Sequence, residues 1–228
     1  MKNIRMMAMA AMCLLLSNLH AQKTIELDAF DAILASGNLE VVLIPGDVER
    51  AVIEISGAPK DELSVKTVRG ELRINYLNTL IYKNFEVKVT VWYKSLRAVR
   101  GNAGARIGSE TGITADRLEL RAGSGAQVEL NVETRSLEAY ASEGGLLRVG
   151  GKAETQDANA TTGGRYEAFR LDCRNTYVRA SLGGQAEVVA LKKLEATAHT
   201  GGSIEYQGDP EQSDVRHIIS GDIRRGSR

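Results

Sequence analysis

The stretch Ala141–Val149, ASEGGLLRV, returns as AGSGAQVEL over Ala122–Leu130, ATTGGRYEA over Ala160–Ala168, ASLGGQAEV over Ala180–Val188 and AHTGGSIEY over Ala198–Tyr206. Each copy holds a small residue, two spacers, a Gly pair (Gly-Ala in the first copy) and then apolar and polar residues in alternation. Gly104, Gly125, Gly144, Gly163, Gly183 and Gly201 follow one another at steps of 21, 19, 19, 20 and 18 residues, and Gly145, Gly164, Gly184 and Gly202 complete the pairs. A period near twenty is that of a chain wound into stacked coils, each burying its apolar side against its neighbours.

Alternation continues on both sides of the Gly pairs, as in Leu118-Leu120-Ala122 and Leu194-Ala196-Ala198 before them and Val128-Leu130-Val132 after. In an extended chain such residues point inward and their neighbours outward. An inward Ala at the same place in every coil implies a narrow interior. The glycines imply a sharp bend with positive φ or no room for a Cβ. No segment has helix-length amphipathic periodicity, so the expected fold class is all-β, a solenoid with about 20 residues per coil.

Residues 23–93 also alternate with period two, in Leu39-Val41-Leu43, Leu72-Ile74-Tyr76 and Phe85-Val87-Val89-Val91, between turn signals such as Ser36-Gly37-Asn38 and the hairpin-like Arg69-Gly70. They lack the twenty-residue step. The reading is one domain over 22–228: an antiparallel-leaning segment, 22–95, that covers one end of the solenoid, and coils over 96–224. Such a cover protects a terminal coil's unpaired backbone. The coils read as ending near Gly208-Asp209-Pro210, with 215–223 a last partial one.

Residues 1–21 read as a secretory signal peptide: basic Lys2 and Arg5, an apolar run from Met6 to Leu16, and a cut after Ala21. Cys13 lies inside that run, not at its close, which argues against a lipoprotein signal. The 29 Lys and Arg less the two in the leader leave 27 against 29 Asp and Glu, a balance with no electrostatic case for nucleic acid. No later segment is long and apolar enough for a transmembrane helix. Cys173 alone remains after cleavage, so no intramolecular disulfide forms and its expected place is the core.

The outward residue before the last position of each repeat is Glu129, Arg148, Glu167, Glu187 or Glu205. Stacking makes these a ladder with rungs about 4.8 Å apart. Arg148 lies favourably between two acids, while the three following acids repel. Such a row suits a hard cation such as calcium or the hydroxyls of a sugar, and its plain alternative is a solvated face. Tyr140 stands where other coils carry Arg121, Asn159, Arg179 or Thr197, an exposed position suited to stacking. Tyr76, Tyr82 and Phe85 form a second aromatic group. Trp92 and Tyr93 are strand neighbours, so one is core. Tyr166 and Tyr206 fall on inward positions. His199 and His217 are isolated, and the chain has no HExxH, Gly-x-Ser-x-Gly or phosphate loop. No local signature selects a catalytic acid pair or a metal site, and no cofactor is expected.

Phe30-Asp31-Ala32-Ile33, Ser36-Gly37, Leu39-Glu40-Val41, Gly70-Glu71-Leu72-Arg73-Ile74, the Val87–Val91 strand leading to Leu96 and the serial small-x-x-Gly coils together resemble the putative auto-transporter adhesin, head GIN domain family. The resemblance covers nearly the whole chain after the leader. It implies a right-handed parallel β-helix of pectin-lyase-like architecture in a secreted or cell-envelope protein of Bacteroidetes-type bacteria, with no catalytic residue to carry over. Glu143, Thr162, Leu182 and His199 depart from the usual small Ser-Gly-Ala run. The expected function is adhesion or binding of a glycan or surface protein at the periplasm, outer surface or beyond. A polysaccharide-active enzyme and an envelope component assembling end to end are the alternatives.

Overall fold

The computed structural model describes residues 23–57, 62–76 and 85–226. The signal-peptide reading, Cys13, Tyr82 and most of the loop beside it lie outside the described residues. The first strands are β1 (Lys23–Glu26), β2 (Ala32–Ser36), β3 (Glu40–Pro45), β4 (Arg50–Ser56), β5 (Leu63–Val68), β6 (Glu71–Tyr76) and β7 (Glu86–Tyr93). There follow β8 (Ala98–Asn102), β9 (Arg106–Ser109), β10 (Ile113–Ala122), β11 (Gln127–Ala141), β12 (Leu146–Thr161) and β13 (Arg165–Ser181). The last are β14 (Gln185–Val189), β15 (Lys193–His199), β16 (Ser203–Gln207), β17 (Gln212–Ile218) and β18 (Asp222–Arg225). No α-helix occurs among the described residues, and none of their segments is a helix long and apolar enough to cross a membrane.

The all-β solenoid is as expected. Strands leading into the Gly turns stack in parallel as one face, in the order β6, β2, β8, β10, β11, β12, β13, β15, β17. Strands leaving the turns stack as a second face, from β7 and β3 through β9 to β18. The long strands β10 to β13 bend between a third, shorter face and the first. In β11 the inward–outward alternation slips at Arg135-Ser136, where two successive side chains turn away from the core.

Each Gly turn is a tight two-residue reversal. Glu143 and Gly144 take φ of 51° and 72°, and the Gly145 N–H donates to the Ser142 carbonyl at 2.8 Å. Two consecutive left-handed residues define a type I′-like turn, which glycine enters freely and Thr162 or Leu182 only with strain. The two glycines of a pair have separate tasks. The first takes the positive φ. The second lies on the coil below, where a Cβ on Gly145, Gly164, Gly184 or Gly202 would stand 2.2–2.3 Å from the carbonyl oxygen of the preceding coil's Ala. At Ala126 the residue beneath is Gly101, and the extra methyl fits.

One boundary differs from the expectation. Parallel coils do not wait for residue 96: β2 and β3 already stack on β8 and β9, and β6 and β7 lie beyond them. The chain forms its second coil first and then folds back to add the end coil, so the twenty-residue step is lost there although the inward residues Ile33, Ala35, Leu72 and Ile74 match the later coils. Among the described residues the antiparallel pairs are β1 with β4, β4 with β7 and β5 with β6, so that β1, β4 and β5 extend the sheet past that end coil. At the other end, past Pro210, β17 and β18 pair along β15 and β16 as the last coil, with a turn at Ile219-Ser220.

The interior is filled by columns of one residue per coil, such as Ala122, Ala141, Ala160, Ala180 and Ala198, all buried. One column, Leu118, Leu137, Gln156, Thr176, Leu194, turns polar in its middle. The Val189 carbonyl accepts from Thr176 Oγ1 at 2.7 Å and Gln156 Nε2 at 3.2 Å, and Tyr166 Oη donates to Gln156 Oε1 at 2.8 Å. A buried carbonyl left unpaired is costly, so the polar pair belongs to the packing. Cys173 is fully buried beside it, and burial pushes its thiol pKa up, away from reactivity.

Candidate functional site

The outward ladder lies in register as expected: Glu129 beside Arg148, then Glu167, Glu187 and Glu205. Arg224 of β18 closes it, a member that the repeat pattern missed because the last copy lacks the Gly pair. Arg148 donates from Nη1 to Glu129 at 3.2 Å and from Nε to Glu167 at 2.9 Å. Arg224 holds Glu205 at 2.7 Å. Glu187 has no cation partner among the described residues. Its burial, and then the charges of Glu167 and Glu205, raise its pKa above the ordinary value. Glu129 is shifted the opposite way, first by its hydrogen bond from Arg170, with Arg148 adding to it against a smaller effect of burial. Among the described residues no group of three or more His, Cys, Asp or Glu side chains is arranged to hold a metal ion.

The face leading into the turns carries a pattern not recognised from the sequence. One outward column is acidic: Glu71, Glu119, Glu138, Asp157, Glu195 and Asp214, with Tyr177 in one row and the small Ala32 and Ala98 in two others. The column two residues on is basic: Arg73, Arg100, Arg121, Arg179 and Arg216. They zip together. Arg100 reaches Glu119 and, across the small Ala32, Glu71, both at 2.7 Å, while Arg121 also holds Glu119 at 2.7 Å. Burial alone would raise the Glu119 pKa, but the hydrogen bonds from Arg100 and Arg121 bring it below the ordinary value. Leu34, Tyr140, Asn159 and Thr197 interrupt the basic column, and Glu138 beside Tyr140 has no ion pair among the described residues. Tyr140 is 36% exposed, with the Arg121 guanidinium 5.6 Å from its ring centre.

Tyr93 is buried, whereas Trp92 is half-buried with the Arg50 guanidinium 4.2 Å from its ring centre. Tyr76 packs on Phe85 at 5.3 Å. Tyr166 is buried, Tyr206 is half-buried, and His199 stands at a turn beside Thr200. The turn edge exposes aliphatic side chains, Leu182 at 56% and Ile219 at 78%.

The family model described as "Putative auto-transporter adhesin, head GIN domain" matches residues 29–210. No curated protein sequence matches the chain significantly. A putative adhesin from Bacteroides fragilis superposes with a TM-score of 0.78 at 16% identity, over 90% of this chain and 96% of that one. One from Parabacteroides merdae does so at 0.69 and 20% identity, over 91% and 96%. A protein from Parabacteroides distasonis described as a putative lipid binding protein gives 0.67 and 20% identity, over 90% and 96%. At these identities the likeness is one of fold.

Proposed function

This chain belongs to the putative auto-transporter adhesin, head GIN domain family, and on that premise we propose that it is an exported cell-envelope protein that binds an extended ligand, a glycan or a surface protein, along its solenoid faces. The observation that carries this reading is the strict register of outward charge. Rows repeat at the strand spacing of about 4.8 Å, and the columns run the length of the coils. A rigid face that offers the same group row after row suits a ligand that is itself repetitive, because every added row contributes without a new ordering cost.

The test is retention of the protein from Gln22 onward on a panel of polysaccharides and matrix proteins, with each supernatant assayed for released sugar ends. Retention without release is the expected result; retention nowhere, or release of product, overturns it. Vesicles form a further arm, since one relative is described as lipid binding and Leu182 and Ile219 offer apolar side chains along the turn edge. Export is checked by N-terminal sequencing of protein recovered from outside the cytoplasm, with Gln22 expected first.

A further inference from the structure

On the face leaving the turns, the ladder that runs Glu129, Arg148, Glu167 is preceded by Val42 and Gly108. Gly108 leaves a gap for which neither backbone nor packing gives a reason. Its φ is not left-handed. A Cβ there would meet nothing nearer than the Glu129 carbonyl oxygen at 3.9 Å, in contrast to the glycines pressed against a carbonyl in the turns. The space stays open as two adjoining depressions of about 340 and 380 Å³ that share Glu40, Gly108 and Glu129. That is the low end of the size range of small-ligand sites. Val42 and Glu129 are two rows apart, roughly 9.6 Å, wide enough for a sugar ring.

The rim is built from both sides. On one, Lys88, Glu40 and Arg106 occupy successive rows of the neighbouring column, and no ion pair or side-chain hydrogen bond among the described residues engages them. On the other, Arg170 and Arg148 converge on Glu129, with Nη2 of Arg170 at 3.1 Å from Oε1 and Nη1 of Arg148 at 3.2 Å from Oε2. Arg170 arrives there because β13 carries a bulge after Glu167 and because the row beneath is Gly150, where a Cβ would stand 3.3 Å from the Arg170 Cβ. Lys88, Arg106, Arg148 and Arg170 thus face Glu40, Glu110 and Glu129, one cation in excess, and Glu129 is already held twice.

We propose that the Gly108 notch binds an acidic sugar of an anionic polysaccharide, with uronate carboxylates on the free N–H groups of Arg106 and Arg170 and ring hydroxyls donating to Glu40. A uronate ring supplies both an anion and several donors within one residue, which the alternation of free cation and free carboxylate requires. This rests on the ligand-binding reading above and names its site and ligand class. The probes are polygalacturonate, neutral galactan and poly-glutamate, titrated into the purified chain from Gln22 onward, with Gly108→Leu to fill the notch and Arg106→Gln to remove a free cation. Expected are affinity for polygalacturonate at least tenfold above that for galactan, a loss of at least tenfold in Gly108→Leu at an unchanged melting temperature, and a loss of about fivefold in Arg106→Gln with a shallower salt dependence. Equal polygalacturonate affinity in Gly108→Leu and the parent overturns the notch, as does poly-glutamate binding as tightly as the uronate polymer. If Gly108→Leu still adheres to other panel members, the notch fails and the binding reading stands; if the parent adheres to nothing, both fail.

Discussion

The two broad faces of the solenoid carry similar charges in opposite arrangements. On the face leading into the turns, acids and bases stand in neighbouring columns and pair across, so that Glu71, Arg100, Glu119 and Arg121 form one connected network. On the face leaving them, acids and bases share one column, and Glu187 is caught between two other carboxylates. In a stacked coil a residue's nearest outward neighbours are its own repeats. Repetition of one charge therefore produces repulsion, unless a second column two residues away answers it. The first face pairs most of its charge internally, whereas the second leaves Glu187 without a cation partner among the described residues.

Both faces depend on the register set by the glycines, so the largest effect comes from breaking it. Gly184→Val places a side chain where even a Cβ would be 2.2 Å from the Ala160 carbonyl oxygen, and a loss of about 3 kcal/mol or more is expected by denaturant titration. Next is Arg100→Met, which leaves the partly buried Glu119 and Glu71 with one cation each, Arg121 and Arg73, and loosens the tie between the folded-back end coil and the rest. A cost of about 2 kcal/mol is expected, and Glu71→Gln in the same chain should recover part of it. Leu182→Asn relieves a non-glycine left-handed position and should stabilise by about 1 kcal/mol, read as a rise in melting temperature.

The smallest effect sharpens the contrast most. Glu187→Gln is expected to stabilise by about 0.5 kcal/mol at neutral pH. Because the folded state raises the Glu187 pKa, its penalty is present at neutral pH, fades as pH falls through the raised value and is gone below the ordinary 4.5. Glu119 and Glu129 behave in the reverse sense. Their pKa values are lowered, so their contribution is present above 4.5 and is lost as pH falls through their folded values. A stability–pH profile of Glu187→Gln that stays parallel to the parent's down to acid pH would remove the distinction between the faces.

Much of this was legible in residue order. The copies around Gly144 and Gly163 announce the coil, the inward Ala and Cys173 follow from alternation, and the ladder from Glu129 to Glu205 needed only equal offsets from each Gly pair. Arg224 was missed because its coil lacks that marker, and the acid–base zipper because its pairs join side chains of different rows, such as Arg100 with Glu119 and Glu71, which offsets within one copy do not bring together. The free cations around Gly108 were missed because Lys88 and Arg106 meet Glu40 only after the chain has folded back.

The sequence by itself determined the all-β class, the coil spacing and the turn positions, because these rest on local causes: alternation over two residues and glycine where a Cβ is forbidden. The tertiary structure alone decided the order of the coils at the folded-back end, the pairing of columns across a face and the reach of Arg170 over Gly150 to Glu129. Those depend on which rows become neighbours and on a one-residue bulge, and a single residue added to one coil shifts every charge after it against the row below.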